Sequence, residues 1–223
     1  SEKKHWEILE DTFAIVDYIN KEKSIIHAIT TDNKEVFFPQ IKSELQIGDF
    51  VTAKIYTKKF KDDNRTELRQ IQKIDKGSVI SKFQTQIAIV DGVNEQKQLF
   101  HFIISSKLQG IVKYTETNLR PNEGDFVKLS FATKTDKDKK SRLKILSIET
   151  TEEVNPNLRK DITGIMEMKY KNYDEDNPDF AFIGDYYVPK YLLEKHNITD
   201  DCRVNARAIY GGDKWKVTEI EKI

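Results

Sequence analysis

The sequence predicts an all-β protein made of three similar small barrels in tandem. Two short stretches recur at almost one spacing: residues 13–19 reappear as 87–93, 74 positions on, and residues 48–51 reappear as 124–127, 76 positions on. Two independent matches at nearly one offset would rarely arise by chance. We therefore expect repeats of about 75 residues, each one folding unit.

A third copy and two boundaries complete the division. Residues 204–210 resemble residues 51–56 at about twice that spacing, and the segment 152–157 contains Pro and Asn, across which no periodicity continues. We therefore assign one barrel each to residues 1–76, 77–152 and 153–223. Closing a sheet into a barrel removes its open edges and lets so small a unit bury an adequate core.

Five strands are expected in the first repeat. Its apolar residues alternate with a period of two in short β-branched or aromatic runs, and turn-forming residues bound each run. The expected strands cover residues 11–19, 24–31, 35–39, 50–59 and 66–75. Between the third and fourth strands, apolar residues at 41, 45 and 47 indicate a short helical or 3₁₀ plug.

The second repeat follows the same pattern, and the third has the longest plug. The expected strands of the second repeat cover residues 80–92, 98–105, 110–116, 126–135 and 141–150. In the third repeat, residues 190–198 predict one or two helical turns that close the bottom of the barrel.

Composition excludes some classes of partner. The 37 basic and 37 acidic residues balance, which argues against a dedicated binder of duplex DNA. Residues 77–152 hold 12 Lys and Arg against 9 Asp and Glu, so a polyanion would favour this repeat. No apolar run is long enough for a signal peptide or a spanning helix, and the one cysteine forms no internal disulfide. We expect a cytoplasmic protein, or a piece of one, without membrane contact.

The order of elements resembles the cold-shock or S1 type of OB-fold barrel. In the third repeat, residues 179–183 (Asp-Phe-Ala-Phe-Ile) resemble the family's Gly-Phe-Gly-Phe-Ile strand, and residues 185–189 (Asp-Tyr-Tyr-Val-Pro) its second aromatic strand. This repeat is also similar to the cold-shock-like RNA-binding domain of the transcription terminator Rho. The resemblance implies three five-stranded OB-fold barrels that bind single-stranded nucleic acid.

Aromatic residues are the first expected contacts. Alternate residues of a strand share a face, so Phe180 and Phe182 would project outwards together as a platform on which bases stack. The other expected platform residues are Tyr187 in the third repeat, Phe100, Phe102 and Tyr114 in the second, and Phe37 in the first. The alternative for these rings is packing across strands.

Basic residues in the hairpins between the fourth and fifth strands are the second expected contacts, since they would hold phosphates. They are Lys58, Lys59, Lys61 and Arg65 in the first repeat and Lys137, Lys139, Lys140 and Arg142 in the second. The alternative is that these hairpins are solvated turns.

No constellation indicates catalysis or metal binding. The four histidines lack metal-ligand spacing, and the acidic loop 174–179 lacks the Gly and the distal Glu of a calcium loop. There is neither a Gly-rich phosphate loop nor a nucleophile elbow. We expect a non-catalytic module without a cofactor that binds single-stranded RNA or DNA, with RNA favoured by the family likeness. The alternative is a protein-interaction scaffold, or an accessory region of a larger nucleic-acid enzyme.

Overall fold

The computed structural model describes residues 10–39, 44–60, 63–135, 141–170 and 178–223. The first repeat contains β1 (Glu10–Asn20), β2 (Ile25–Thr30), β3 (Glu35–Pro39), β4 (Phe50–Phe60) and β5 (Asp63–Ile74). The second contains β6 (Gln84–Asn94), β7 (Leu99–Ile103), β8 (Gln109–Lys113), β9 (Phe126–Thr135) and β10 (Ser141–Thr150). The third contains β11 (Arg159–Lys169), β12 (Phe180–Ile183), β13 (Tyr186–Pro189), β14 (Cys202–Tyr210) and β15 (Trp215–Lys222). The helices among the described residues are α1 (Lys76–Val79) and α2 (Lys190–His196).

Two of the three sheets are closed barrels. The first has the strand order β1-β2-β3-β5-β4 and the third has the order β11-β12-β13-β15-β14. Parallel pairing of Phe37 with Glu67 joins β3 to β5, and parallel pairing of Tyr187 with Lys216 joins β13 to β15. The all-β prediction is confirmed, and the two closing pairs occupy the same place in the two barrels.

The middle sheet departs from the expectation of three closed barrels. Its five strands have the order β10-β9-β6-β7-β8, so among the described residues β8 and β10 are its two edges. In the other two sheets one parallel bridge between the equivalent strands completes the ring. Because closure depends on so few pairs, the absence of that bridge leaves a sheet of the same strand order open.

Packing divides the chain into two compact units. One comprises Ser1–Thr85 with Ser130–Ser147, and the other comprises Gln86–Leu129 with Ile148–Ile223. These two units are groups of residues that pack together. The boundaries at 76/77 and 152/153 separate the sequence repeats instead, and they remain our proposal. The third barrel lies entirely within the second unit.

A hydrogen-bonded glycine turn recurs before β4 and β9. Gly48 and Gly124 have φ of 94° and 91°, a left-handed conformation that favours glycine. Gly48 N donates to Val16 O at 2.8 Å, and Gly124 N donates to Val90 O at 2.7 Å. The aspartate after each glycine accepts a backbone N–H three residues earlier, at 2.7 Å in both turns. Turn geometry thus accounts for the repeated Gly-Asp pair.

The expected plug is helical in the third repeat alone among the described segments. Leu192 and Leu193 of α2 are buried in the third core, and α2 ends at Asn197, which has φ of 51°. The first connection lies partly outside the described residues, and in its described part Leu45 enters the core without a helix. The second connection, residues 114–125, forms turns around Pro121, a residue that lacks the N–H of a regular helix.

The start of the second repeat also differs from the predicted strand at 80–92. Residues 76–79 form α1, and Ile80–Lys82 form a 3₁₀ turn before β6 begins at Gln84. Asp75 caps α1, since its carboxylate accepts the N–H of Gly77 at 2.7 Å. The side chains of Val79 and Phe83 are buried in one cluster with Phe50. The helical turns of residues 76–82 direct both apolar side chains into this cluster, which explains why a strand does not begin at residue 80.

Candidate nucleic-acid interface

Three aromatic rings cluster on the third barrel. Phe180 and Phe182 of β12 and Tyr187 of β13 are half-buried, and their ring centroids lie 5.7 to 6.0 Å apart. Phe182 pairs directly with Tyr187 across the two strands. The rings therefore form one continuous aromatic surface that retains access to solvent, as expected for Phe180, Phe182 and Tyr187.

The local sequence explains why these rings face outwards. Ala181 and Ile183, which alternate with them along β12, are buried in the third core. A Cβ atom at Gly164 on β11 would lie 2.9 Å from the Ile183 side chain, so the glycine makes room for Ile183. Because the two alternate residues, Ala181 and Ile183, are apolar and fit inside, the phenylalanines occupy the outer face.

A groove of about 780 Å³ adjoins this aromatic surface. Phe182, Tyr187 and Trp215 provide its aromatic lining, and the turns between β12 and β13 and between β14 and β15 provide its rim. Lys160 Nζ lies 4.6 Å from the centre of the Trp215 ring. In OB-folds the face of strands two and three and the loop between strands four and five bind oligonucleotides, and the groove occupies that region. Sequence analysis missed Trp215 because its distance along the chain from Phe182 conceals their proximity.

Two lysines also line the groove. Lys214 is exposed, and within the described part of the chain its ammonium group has no hydrogen bond or ion pair. Lys216 is held in place: its ammonium group donates to the Asp91 backbone carbonyl at 3.2 Å and to the Glu123 carboxylate. One of the two cations is thus already neutralised by the protein.

The second repeat corrects the expectation of an outward platform. Phe100 and Phe102 are fully buried, with 0% of their surface exposed, and Tyr114 is 7% exposed. The Tyr114 hydroxyl donates to Glu95 at 3.2 Å, and burial and this carboxylate raise the pKa of Tyr114. The physical reason is the alternation of faces along β7. His101, which lies between the two phenylalanines, faces outwards, so both phenylalanine rings face the core.

His101 occupies the outer position that Phe182 holds in the third barrel. It pairs with the exposed Ile111 on β8, as Phe182 pairs with Tyr187. Its Nδ1 contacts the carboxylate of Asp91, which lies at a β-bulge in β6. A bulge inserts one residue and redirects its side chain, which here places a carboxylate beside the histidine.

The first repeat carries the same histidine at the same place. His27 pairs with Phe37, whose ring is 56% exposed and lies 4.8 Å from the imidazole centre. His27 Nδ1 lies 3.3 Å from the carboxylate of Asp17, again a bulge residue, and Nε2 lies 3.0 Å from Glu35. Phe37 is exposed, as expected for a platform residue.

Asp17 is the centre of a buried charge cluster. Its side chain is 5% exposed, Lys134 Nζ donates to it at 2.8 Å, and Lys144 Nζ lies 3.6 Å away. Burial alone would raise the pKa of Asp17, but the Lys134 hydrogen bond and the charges of Lys134, Lys144 and His27 outweigh burial and lower it. Lys134 on β9 and Lys144 on β10 therefore contribute to the fold. The sequence carries a signal of this arrangement, since Asp17 and His27 both recur 74 residues later.

The structure describes only some of the basic residues that were expected to hold phosphates. Lys58 and Lys59 lie on β4, and Arg65 lies on β5 opposite Lys58, with side chains outside the described part. Arg142 is exposed on β10 and has an interaction partner within the chain. Lys61, Lys137, Lys139 and Lys140 lie outside the described residues. The phosphate-binding role of all these residues stays a prediction.

Two further observations limit the chemistry of the described residues. Within the described ranges, no group of three or more His, Cys, Asp or Glu side chains is arranged to hold a metal ion. No helix in the described part of the chain is both long and apolar enough to cross a membrane.

Comparisons with known proteins give matches to family models and to a solved structure. The S1/CSD-like domain 1 of the TOTE conflict systems matches residues 6–68 and again residues 80–144, and the S1/CSD-like domain 2 of these systems matches residues 173–218. A solved structure of Drosophila Unr CSD456 matches 96% of this chain and 97% of its own, with 12% sequence identity and a TM-score of 0.28. No curated protein matches the chain. The family matches extend over more than half of the sequence, and the chain belongs to the S1/CSD-like domains of the TOTE conflict systems, tandem modules of the cold-shock, nucleic-acid-binding type.

Proposed function

We propose that this protein binds single-stranded nucleic acid without catalysing a reaction, and that RNA is its main ligand. The observation that carries this proposal is the half-exposed surface of Phe180, Phe182 and Tyr187 beside a groove lined by lysine and tryptophan. Membership of a family with the S1 and cold-shock type of fold supports the nucleic-acid class and a binding role.

Stacking supplies most of the affinity in this proposal. Each unpaired base stacked on an aromatic side chain contributes about 1–3 kcal/mol, and every base has a face that can stack. The three rings lie within 6.0 Å of one another, so neighbouring bases of one strand can use them in turn. A duplex hides its base faces, which is why we propose a single strand.

Phosphate contacts are few in this proposal. Lys214 is the free groove cation among the described residues, and Lys160 adds a second positive charge beside the Trp215 ring. Each neutralised phosphate of a single strand changes the logarithm of the affinity by about −0.7 per logarithm of salt concentration. We therefore expect the third barrel to contribute a shallow salt dependence, corresponding to about two phosphates, and each hairpin lysine or arginine that holds a phosphate would steepen it.

The faces of the first and second repeats contribute less. Phe37 with His27, and Ile111 with His101, occupy the positions of Tyr187 with Phe182, but each pair offers less aromatic surface. Weak sites on one chain gain from effective concentration, because a strand held at one site is already near the next. The intact chain is thus expected to bind a long oligomer more tightly than a short one.

Fluorescence anisotropy tests the proposal. Labelled single-stranded RNA and DNA of about 20 nucleotides are titrated with the intact chain at two salt concentrations, together with a Phe180→Ala/Phe182→Ala double variant. Loss of two stacking rings is expected to weaken binding by at least tenfold. The matched control is Tyr170→Ala, which removes an exposed ring that does not line the groove and whose hydroxyl donates to the Thr199 carbonyl.

The outcomes separate two functions. Salt-sensitive binding that the double variant weakens and the control retains supports a stacking module. Equal weakening by the control would mean that general destabilisation explains the loss. Absence of binding to either oligomer at low salt would contradict the proposal and favour a protein-interaction scaffold.

A further inference from the structure

The groove on the third barrel carries more acidic than basic side chains. Five charged residues line it: Asp91, Asp185, Asp213, Lys214 and Lys216. The Glu123 carboxylate already compensates the charge of Lys216. The interior of the groove therefore disfavours a phosphate group, and it favours an uncharged group that offers hydrogen-bond donors.

Two of the three carboxylates are available to a ligand. Asp91 contacts His101, but within the described part of the chain neither Asp185 nor Asp213 has a hydrogen bond or an ion pair through its carboxylate. Each follows a glycine with positive φ, 59° at Gly184 and 95° at Gly212, in the turns that form the rim. These left-handed turns present both carboxylates at the rim of the groove, next to its aromatic lining.

We propose that this groove binds one nucleobase of a single-stranded RNA and selects guanine. This inference rests on the proposed function and assigns it a base preference. Phe182, Tyr187 and Trp215 provide aromatic surface for the flat ring, and the carboxylate of Asp185 or Asp213 accepts hydrogen bonds from its edge. The phosphates of the strand remain outside the groove, near the exposed Lys214.

The chemistry of the base edges explains the choice. Guanine presents its N1–H and its N2 amino group side by side, and the two oxygens of one carboxylate accept both. Adenine and cytosine present one amino group next to an acceptor nitrogen, which repels a carboxylate. Uracil presents one N–H between two carbonyl oxygens. Asp185 and Asp213 are exposed and hydrated in the free protein. A base whose edge lacks two adjacent donors would displace that water without replacing its hydrogen bonds, so the groove discriminates against these three bases.

The test compares nine-nucleotide oligouridines that carry one central guanosine, adenosine, cytidine or inosine, titrated with the full chain by anisotropy. Guanosine is expected to improve the affinity over adenosine by about tenfold, as one bidentate base contact does. Inosine, which lacks the N2 amino group, is expected to fall between the two. In an Asp185→Asn/Asp213→Asn variant the preference is expected to disappear, while affinity for the adenosine oligomer stays equal or rises.

A matched control makes the result specific. Asp200→Asn removes the same charge from an exposed aspartate of the third barrel that does not line the groove, and it is expected to keep the guanosine preference. Salt-sensitive binding with equal affinity for guanosine and adenosine would overturn the inference and leave the proposed function intact. A preference that survives in the double variant would also overturn it. Failure of every oligomer to bind would contradict the proposed function itself.

Discussion

Strands β7 and β12 carry the same aromatic alternation and place it on opposite faces. Phe100 and Phe102 of β7 are fully buried, whereas Phe180 and Phe182 of β12 are half-exposed beside a groove. Alternation establishes that two residues share a face of a strand, but it does not establish which face. The comparison teaches that the residue between two rings decides whether they serve the core or the surface.

The intervening residues differ in what burial would require. In β12 the residue between the rings is Ala181, which enters the core without a polar group to satisfy. In β7 it is His101, whose ring nitrogens would need partners in the core, and its outward position beside Asp91 supplies one. A polar residue between two phenylalanines therefore indicates that both rings face the core, and this signal can be recognised in the sequence alone.

The largest expected effect is a difference in stability between a variant in β7 and a variant in β12. Phe102→Ala should lower the free energy of unfolding by about 3–5 kcal/mol, because it leaves a cavity in a packed core. Phe182→Ala should lower it by about 1 kcal/mol, since its ring is already half in solvent. Urea denaturation followed by circular dichroism measures both. Equal losses for the two variants would contradict the assignment of inner and outer faces.

The second test concerns the first repeat, where His27 holds the outer position. Asp17→Asn removes the charge that Lys134 and Lys144 share, and it should cost about 1–3 kcal/mol at neutral pH. The folded-state pKa of Asp17 is lowered, so its contribution is present above about pH 4 and is lost as the pH falls through that lower pKa.

Unfolding midpoints measured between pH 7 and pH 2.5 check this prediction. The difference between the wild type and Asp17→Asn should shrink steadily below about pH 4. The control is Asp11→Asn, which removes a carboxylate that is 82% exposed from the same strand and should change the midpoint little. A difference that is independent of pH would mean that the charge cluster does not stabilise the fold.

The smallest expected effect transfers the third barrel's chemistry to the second repeat. His101→Phe places a ring at the outer position that corresponds to Phe182 and should strengthen binding of a single-stranded RNA by about two- to fivefold. The control His196→Phe adds a ring at an exposed position of α2. Anisotropy titration measures both, and equal gains would show that the position itself carries no advantage.

Much of the fold could be predicted from the sequence, because local patterns determine it. Period-two alternation predicted the ten strands of the first two repeats within a few residues, apart from the start of β6, and the repeated Gly-Asp pair marked equivalent turns. That the middle sheet is open, and not closed as expected, could not be predicted, since the pairing of one pair of strands distant in sequence decides it. The contact of Lys134 with Asp17 spans 117 residues, and Trp215 joins the groove from the other end of the third repeat. Contacts of this kind have no signal in local periodicity.

The two compact units are interleaved along the chain, and this limits what a truncated protein can retain. The polypeptide leaves the first unit after Thr85, returns to it at Ser130 and leaves it again after Ser147. A truncation at residue 129 would remove Lys134 and Lys144 from the Asp17 cluster, and one at residue 152 would leave Gln86–Leu129 without the rest of their unit. A single cut therefore cannot separate the two units from each other as intact pieces.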